Sequence, residues 1–296
     1  MSERVKVLGS LLLSMICWAF SFVWIKQAFE SFNPLTIIVL RLAISAGLLF
    51  VILKLMGRLT PIRKVDLKWF LLLAFFEPFL YFMGETFGLE IVSSTVGAVI
   101  VSTIPLFAPI TDRLFYKSKV TWANVLGIVI SFTGVLLLIF KDDFTLVAPL
   151  KGILLVFLAV FAALGYSVVL KKVPPQYNAV SIITFQNCIG LVYFIPIFLI
   201  VDGPTLGEKP LTAEAIKAVL LLAVVASSLA FIFFTHGMRV IGITKANVFV
   251  NLIPAFTAII AWWVLGDQLS FQTLLGISIV IIGVFISQLK LKNRGI

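Results

Sequence analysis

Residues 125–138 read VLGIVISFTGVLLL and residues 274–287 read LLGISIVIIGVFIS. The two stretches align at an offset of 149, which sets Gly127 on Gly276 and Gly134 on Gly283. Matches of Val and Ile mean little in so apolar a chain, whereas matched Gly and Pro are informative. The same offset pairs Thr86 with Thr235, Gly88 with Gly237, Thr95 with Thr244 and Pro105 with Pro254. Further upstream, NPLTIIVLR (33–41) meets NAVSIITFQ (178–186) at an offset of 145, and the four extra residues fall near 202–216. The chain is written twice, dividing into 1–144 and 145–296.

Composition says where the two copies reside. Of 296 residues 61% are hydrophobic and 12% charged, with a mean hydropathy of +1.16. That excess of apolar surface needs lipid as solvent. A span needs about 20 apolar residues. Reading between breakers gives ten, near 7–27, 34–55, 68–88, 95–116, 121–140, 152–170, 179–200, 217–238, 246–265 and 271–289. The expected class is an all-α integral membrane protein of ten transmembrane helices. With five spans per copy, the second copy enters the membrane from the opposite side. The copies are then inverted-topology repeats, the symmetry that underlies alternating access.

The net charge of +10 fits topology better than nucleic-acid binding. With a cytoplasmic N-terminus, most of the basic residues fall in inner segments, including Lys54, Arg58, Arg63, Lys64, Lys119, Lys171, Lys172, Lys290, Lys292 and Arg294. Acids collect outside, at Glu30, Glu90, Asp142, Asp143 and Asp202 among others. Both termini are therefore expected to be cytoplasmic, in a prokaryotic inner membrane. The first apolar stretch is long and lacks a small-residue cleavage pattern, so it reads as a retained helix. Cys17 and Cys188 lie in apolar runs and read as buried thiols, neither disulfide nor metal site.

The sequence resembles the drug/metabolite transporter superfamily, in particular the ten-helix EamA-type transporters, over nearly its whole length. The carrying features are CWAFSFVWIKQ (17–27), PLTIIVLR (34–41), STIPLF (102–107), NLIPAF (251–256) and the paired ends LGIVISFTGVLLL and LGISIVIIGVFI. Order and spacing, more than any single motif, make the match specific. The family often carries an acid just after spans 4 and 9. Here VLGDQLS supplies Asp267, but FYKSKVT supplies none. The resemblance implies a carrier of small metabolites such as amino acids, often exported, and leaves import or exchange of solutes such as nucleotide sugars open.

Ionisable groups inside spans are candidates for function. In FFEPFLYF (75–82) a carboxylate and a proline interrupt an apolar run. Glu77, Tyr81 and Glu85 share one helix face, and Pro78 deprives Ala74 of its hydrogen-bond donor, which predicts a kink. Glu77 is expected near mid-membrane, facing a solute amine or a coupling proton. Arg41 must have an anionic partner, either a solute carboxylate or one of Glu77 and Glu85; its mirror is the neutral Gln186. With Arg41, Glu77, Tyr81 and Glu85, the residues Trp18, Ser21, Tyr166, Gln186, Ser228, His236 and Asn251 complete the expected solute-lining set. Pro105 and Pro254 are the expected gating positions. Gly127, Gly134, Gly276 and Gly283 recur every seven residues and suit tight packing, as a scaffold or as a homodimer contact through spans 5 and 10.

Other classes fit less well. One His and no mid-span Asp disfavour intramembrane metal or aspartyl enzymes. No GxxxxGK[ST] motif is present, which argues against ATP-driven pumping by this chain. No cofactor or metal is expected. A scaffold without transport remains, and it implies no polar cavity.

Overall fold

The computed structural model describes residues 3–57, 59–117, 121–140 and 146–288. These residues form α1 (Glu3–Ala28), α2 (Pro34–Leu55), α3 (Leu67–Ile91), α4 (Ser94–Phe115), α5 (Trp122–Ile139), α6 (Leu150–Leu170), α7 (Ala179–Val201), α8 (Ala213–Ile241), α9 (Lys245–Leu265) and α10 (Phe271–Gln288). Among the described residues there is no strand. The first nine helices are long and apolar enough to cross a membrane, and α10 is apolar over Phe271–Ile286. Arg58, Lys119, Asp142, Asp143, Lys290, Lys292 and Arg294 lie outside the described residues. Ten alternating helices bring the start of α1 and the end of α10 to one face, called the terminal face, opposite a distal face.

Local chemistry starts five of these helices. Pro34 opens α2, where its missing N–H costs nothing. Ser93, Asn178 and Thr212 each accept a first-turn backbone N–H, at 3.3, 2.8 and 3.1 Å. Thr121 and Asn124 form a reciprocal capping box at α5. Gly266 ends α9 at φ 72°, the left-handed cap that glycine adopts freely.

Four helices are interrupted, in two repeat-related pairs. α3 passes through a π-helical stretch, Phe75–Leu80, in which Glu77 leaves the helix altogether at φ −145°, ψ 115°. The break expected at Pro78 is thus larger than a kink. In α8 a π-helical stretch covers Leu222–Ala230, around Ala226, the mirror of Glu77. No proline or glycine announces it. In α4, Ser102 and Thr103 form a turn before Pro105. In α9, a 3-10 segment Val248–Leu252 precedes Pro254. Irregular backbone at this depth persists only against protein or a polar cavity.

Glycine sets the closest helix contacts. A Cβ on Gly134 would stand 2.7 Å from Gly276 O, and one on Gly283 would stand 2.8 Å from Gly127 O. The glycine faces of α5 and α10 therefore meet each other within one chain. That contact occupies the glycine faces within the chain. Gly84 and Gly88 admit α6, at Leu155 and Val156 respectively.

Candidate functional site

The helix interruptions surround a cavity with about 50 Å³ of space for water centres, enough for several waters. Its polar groups are Ser21, Arg41, Glu77, Tyr81, Glu85, Tyr166, Ser167 and Asn247, and its aromatic walls include Trp18, Phe82, Phe231 and Phe234. Few polar groups among apolar walls is the usual make-up of a small-molecule site.

Arg41 organises the distal half. Its Nη1 lies 3.6 Å from Glu85 Oε2, with both side chains almost wholly buried. That separation exceeds a hydrogen bond, and neither atom has a hydrogen-bond partner among the described residues. Arg41 Nε donates to Ser227 Oγ at 2.8 Å, and its guanidinium carbon stands 3.9 Å from the centre of the Phe82 ring. Tyr81 donates to Glu85 Oε1 at 3.1 Å. The sequence left Arg41 between a solute carboxylate, Glu77 and Glu85; of the two glutamates, Glu85 forms the ion pair. Glu77 is buried, lines the cavity, and hydrogen-bonds to none of the described residues.

The π stretch of α8 frees backbone carbonyls, and side chains from three other helices take them. Trp18 Nε1 donates to Ala226 O at 3.3 Å. Asn187 Nδ2 donates to Ser227 O at 3.1 Å and to Ser45 Oγ at 2.8 Å. Ser45 Oγ also lies 2.7 Å from Ser228 Oγ. This polar knot joins α2, α7 and α8 behind Arg41 and fixes its aim. Sequence reading passed over Ser45 and Asn187. The available signals were Ser45 four residues after Arg41, on the same helix face, and a second amide beside Gln186.

The expected site residues separate into two sets. Trp18, Ser21, Arg41, Glu77, Tyr81, Glu85 and Tyr166 line the cavity together, with Tyr166 OH 3.2 Å from Thr235 Oγ1. Four others stand apart. Ser228 spends its hydroxyl on Ser45 and on Ala223 O. Gln186 and Asn251 are buried outside the cavity, with Gln186 Oε1 and both Asn251 amide atoms unpartnered among the described residues. His236 is exposed on the outer side of α8. Pro105 and Pro254 are buried at their helix breaks, beside the cavity residues Ile104 and Ile253.

Hydrogen bonds tie the two halves at each face. On the terminal face Asp66 Oδ2 accepts from Tyr177 OH at 2.7 Å and from Arg63 Nε at 2.9 Å, and Thr60 N donates to Ser181 Oγ at 3.1 Å. The Tyr177 and Arg63 bonds hold the Asp66 carboxyl below its usual range. On the distal face Asp202 Oδ2 accepts from Thr36 N at 2.8 Å and Thr36 Oγ1 at 3.1 Å, and Asn33 Nδ2 donates to Thr205 Oγ1 at 3.1 Å. Thr36 and Ser181 are repeat mates at the offset of 145.

Comparison with known proteins places this geometry in a wider set. The EamA-like transporter family matches residues 6–140 and 150–289. An uncharacterized transporter, YdfC, of Bacillus subtilis is 30% identical over 299 residues, covering 98% of this chain and 94% of the relative. An uncharacterized transporter of Archaeoglobus fulgidus is 26% identical over 276 residues, covering 93% and 96%. A solved structure described as "Crystal structure of protein" superposes with a TM-score of 0.70 at 12% identity, covering 96% of each chain, which shows the shared fold alone.

Proposed function

The chain belongs to the EamA-like transporter family and is a membrane transporter, and from that premise we propose that it carries small zwitterionic, amino-acid-like metabolites by alternating access. The carrying observation is the unfinished Arg41–Glu85 pair. At 3.6 Å each partner has a charged atom without a hydrogen bond. A solute bearing a carboxylate and an ammonium supplies an acceptor to Arg41 and a donor to Glu85 or Glu77. The aromatic walls take its side chain. The units that rock are the halves 1–144 and 145–296, the termini are cytoplasmic, and export is the direction that the family resemblance implies. Glu77, which hydrogen-bonds to none of the described residues, is the group assigned to the amine or to a coupling proton.

Thermal melts of the purified protein with free amino acids, their N-acetyl forms and their amides test the chemistry, since a bound ligand raises apparent stability. Free amino acids should raise the melting temperature, and the blocked forms should not. Equal shifts from N-acetyl forms, or no shift from any amino acid, would remove the zwitterion reading. In proteoliposomes Glu77→Gln, which keeps shape and loses titration, should slow transport at least tenfold and flatten its pH dependence. A periplasmic reporter that is active when fused after Ile296 would overturn the orientation.

A further inference from the structure

A second space adjoins the cavity at Asn247. It is narrower, about 10 Å³, and lies toward the terminal face. Ser167 and Asn247 line both spaces, and Thr111 of α4 and Lys171, just after α6, line the far end. That volume holds about one water, so it is a constriction. Asn247 stands at it, 2% exposed, with its Nδ2 unpartnered among the described residues. The chain there changes from α-helix (Ile243–Asn247) to a 3-10 segment (Val248–Leu252). A buried amide donor is unfavourable without an acceptor, and none of the described residues supplies one.

The repeat supplies an internal comparison. At the offset of 149 the mirror of Asn247 is Ala98, and the mirror of Ala108, another residue of the constriction, is Thr257. At the offset of 145 the mirror of Ser167 is Phe22. Ala98, Thr257 and Phe22 are all buried. Thr257 Oγ1 donates to Ala19 O at 3.4 Å, which joins α9 to α1 across the equivalent seam. Repeat-related seams thus differ: the one toward the terminal face carries a polar constriction, and the one toward the distal face is closed by apolar packing and a cross-helix hydrogen bond.

We propose that Asn247 is the polar gate of a solute passage between α4, α6 and α9, opening to the terminal face while the seam around Ala98 is sealed. Its Nδ2 donates to an anionic oxygen of the solute, a carboxylate, as that group passes between Arg41 and the constriction. The ligand class rests on the zwitterion reading above, but the passage itself does not.

The full chain in membrane vesicles tests this with a membrane-impermeant thiol reagent. Peptide mass spectrometry locates the label, so Cys17 and Cys188 stay in place. Lys171→Cys, at an exposed position, reports which side of the vesicle is the terminal face. Thr111→Cys and Asn247→Cys should react from that side at least tenfold faster than Ala98→Cys or Thr257→Cys reacts from either side. Asn247→Leu should then slow labelling of Ser167→Cys at least tenfold with Lys171→Cys unaffected, and Asn247→Ser should not. An unreactive Asn247→Cys beside a reactive Lys171→Cys overturns the passage, as does faster reaction at Ala98→Cys. Labelling as expected without amino-acid binding sinks the zwitterion reading and leaves the passage standing.

Discussion

Arg41 of α2 and Glu85 of α3 face each other at 3.6 Å in the protein interior, close enough to pair and too far to hydrogen-bond. Removing one partner strands a buried charge, at a cost of about 3–5 kcal/mol. Replacing both by apolar residues of similar size is often neutral or stabilising. Arg41→Ala or Glu85→Ala should therefore lower the melting temperature markedly. Arg41→Met with Glu85→Leu should melt near the parent and transport nothing. Transport by the double variant at the parental rate would show that the pair is architecture alone.

The helix count, the duplication and the carboxylate face of span 3 were legible because they rest on local signals: long apolar runs, matched Gly and Pro, and charge in a hydrophobic context. Ser45 and Asn187 were not, because their meaning comes from the π stretch of α8, which frees the Ser227 carbonyl that Asn187 uses. No residue in LAVVASSLA signals a wide turn. The repeat did carry the signal, since Leu222–Ala230 contains the mirror of the Glu77–Pro78 break. The sequence does not say which side of α8 carries His236; near a helix end the outer side reaches water as readily as the inner, and there the residue is exposed. Glycine periodicity shows that a face packs closely and does not say against what; here the partner of the α5 glycine face is α10 of the same chain.

The α5–α10 contact tolerates no side chain at its centre. A Cβ on Gly134 would stand 2.7 Å from Gly276 O and 2.8 Å from Val280 N, both backbone atoms that cannot swing aside. Gly134→Ala should cost about 1–3 kcal/mol as the helices part. Gly47→Ala in α2 meets nothing within 4 Å and should be neutral or slightly stabilising. Melting temperatures of the two variants check the contrast. A Gly134→Ala protein as stable as Gly47→Ala would contradict the packing.

Pro105 and Pro254 each stand second in the helical segment that follows a break, after Ile104 and Ile253. Both remove a backbone donor where the helix has already changed course. If the two repeats exchange roles by alternating access, as proposed above, the breaks in spans 4 and 9 are where these helices would bend in turn. Pro105→Ala and Pro254→Ala restore the donor and favour a continuous helix, so each should slow proteoliposome transport several-fold while expression changes little. Parental rates in both variants would end the gating role.

The Asp66–Tyr177 tie on the terminal face makes the join between halves sensitive to acid. In the unfolded chain an aspartate titrates at about 3.9. In the fold, the hydrogen bonds from Tyr177 and Arg63 hold Asp66 lower. A depressed carboxyl binds fewer protons folded than unfolded, so its contribution is complete above the unfolded value. It is lost as pH falls through the folded one. Between pH 8 and 5 the tie should be constant, and below about pH 4 it should fade. Asp66→Asn removes the titrating group and keeps a weaker acceptor for Tyr177. The melting-temperature difference between the parent and Asp66→Asn should be steady from pH 8 to 5 and shrink progressively below pH 4. A difference that is the same at pH 3 as at pH 7 would mean that the ionised carboxylate does not hold the two halves together at this face.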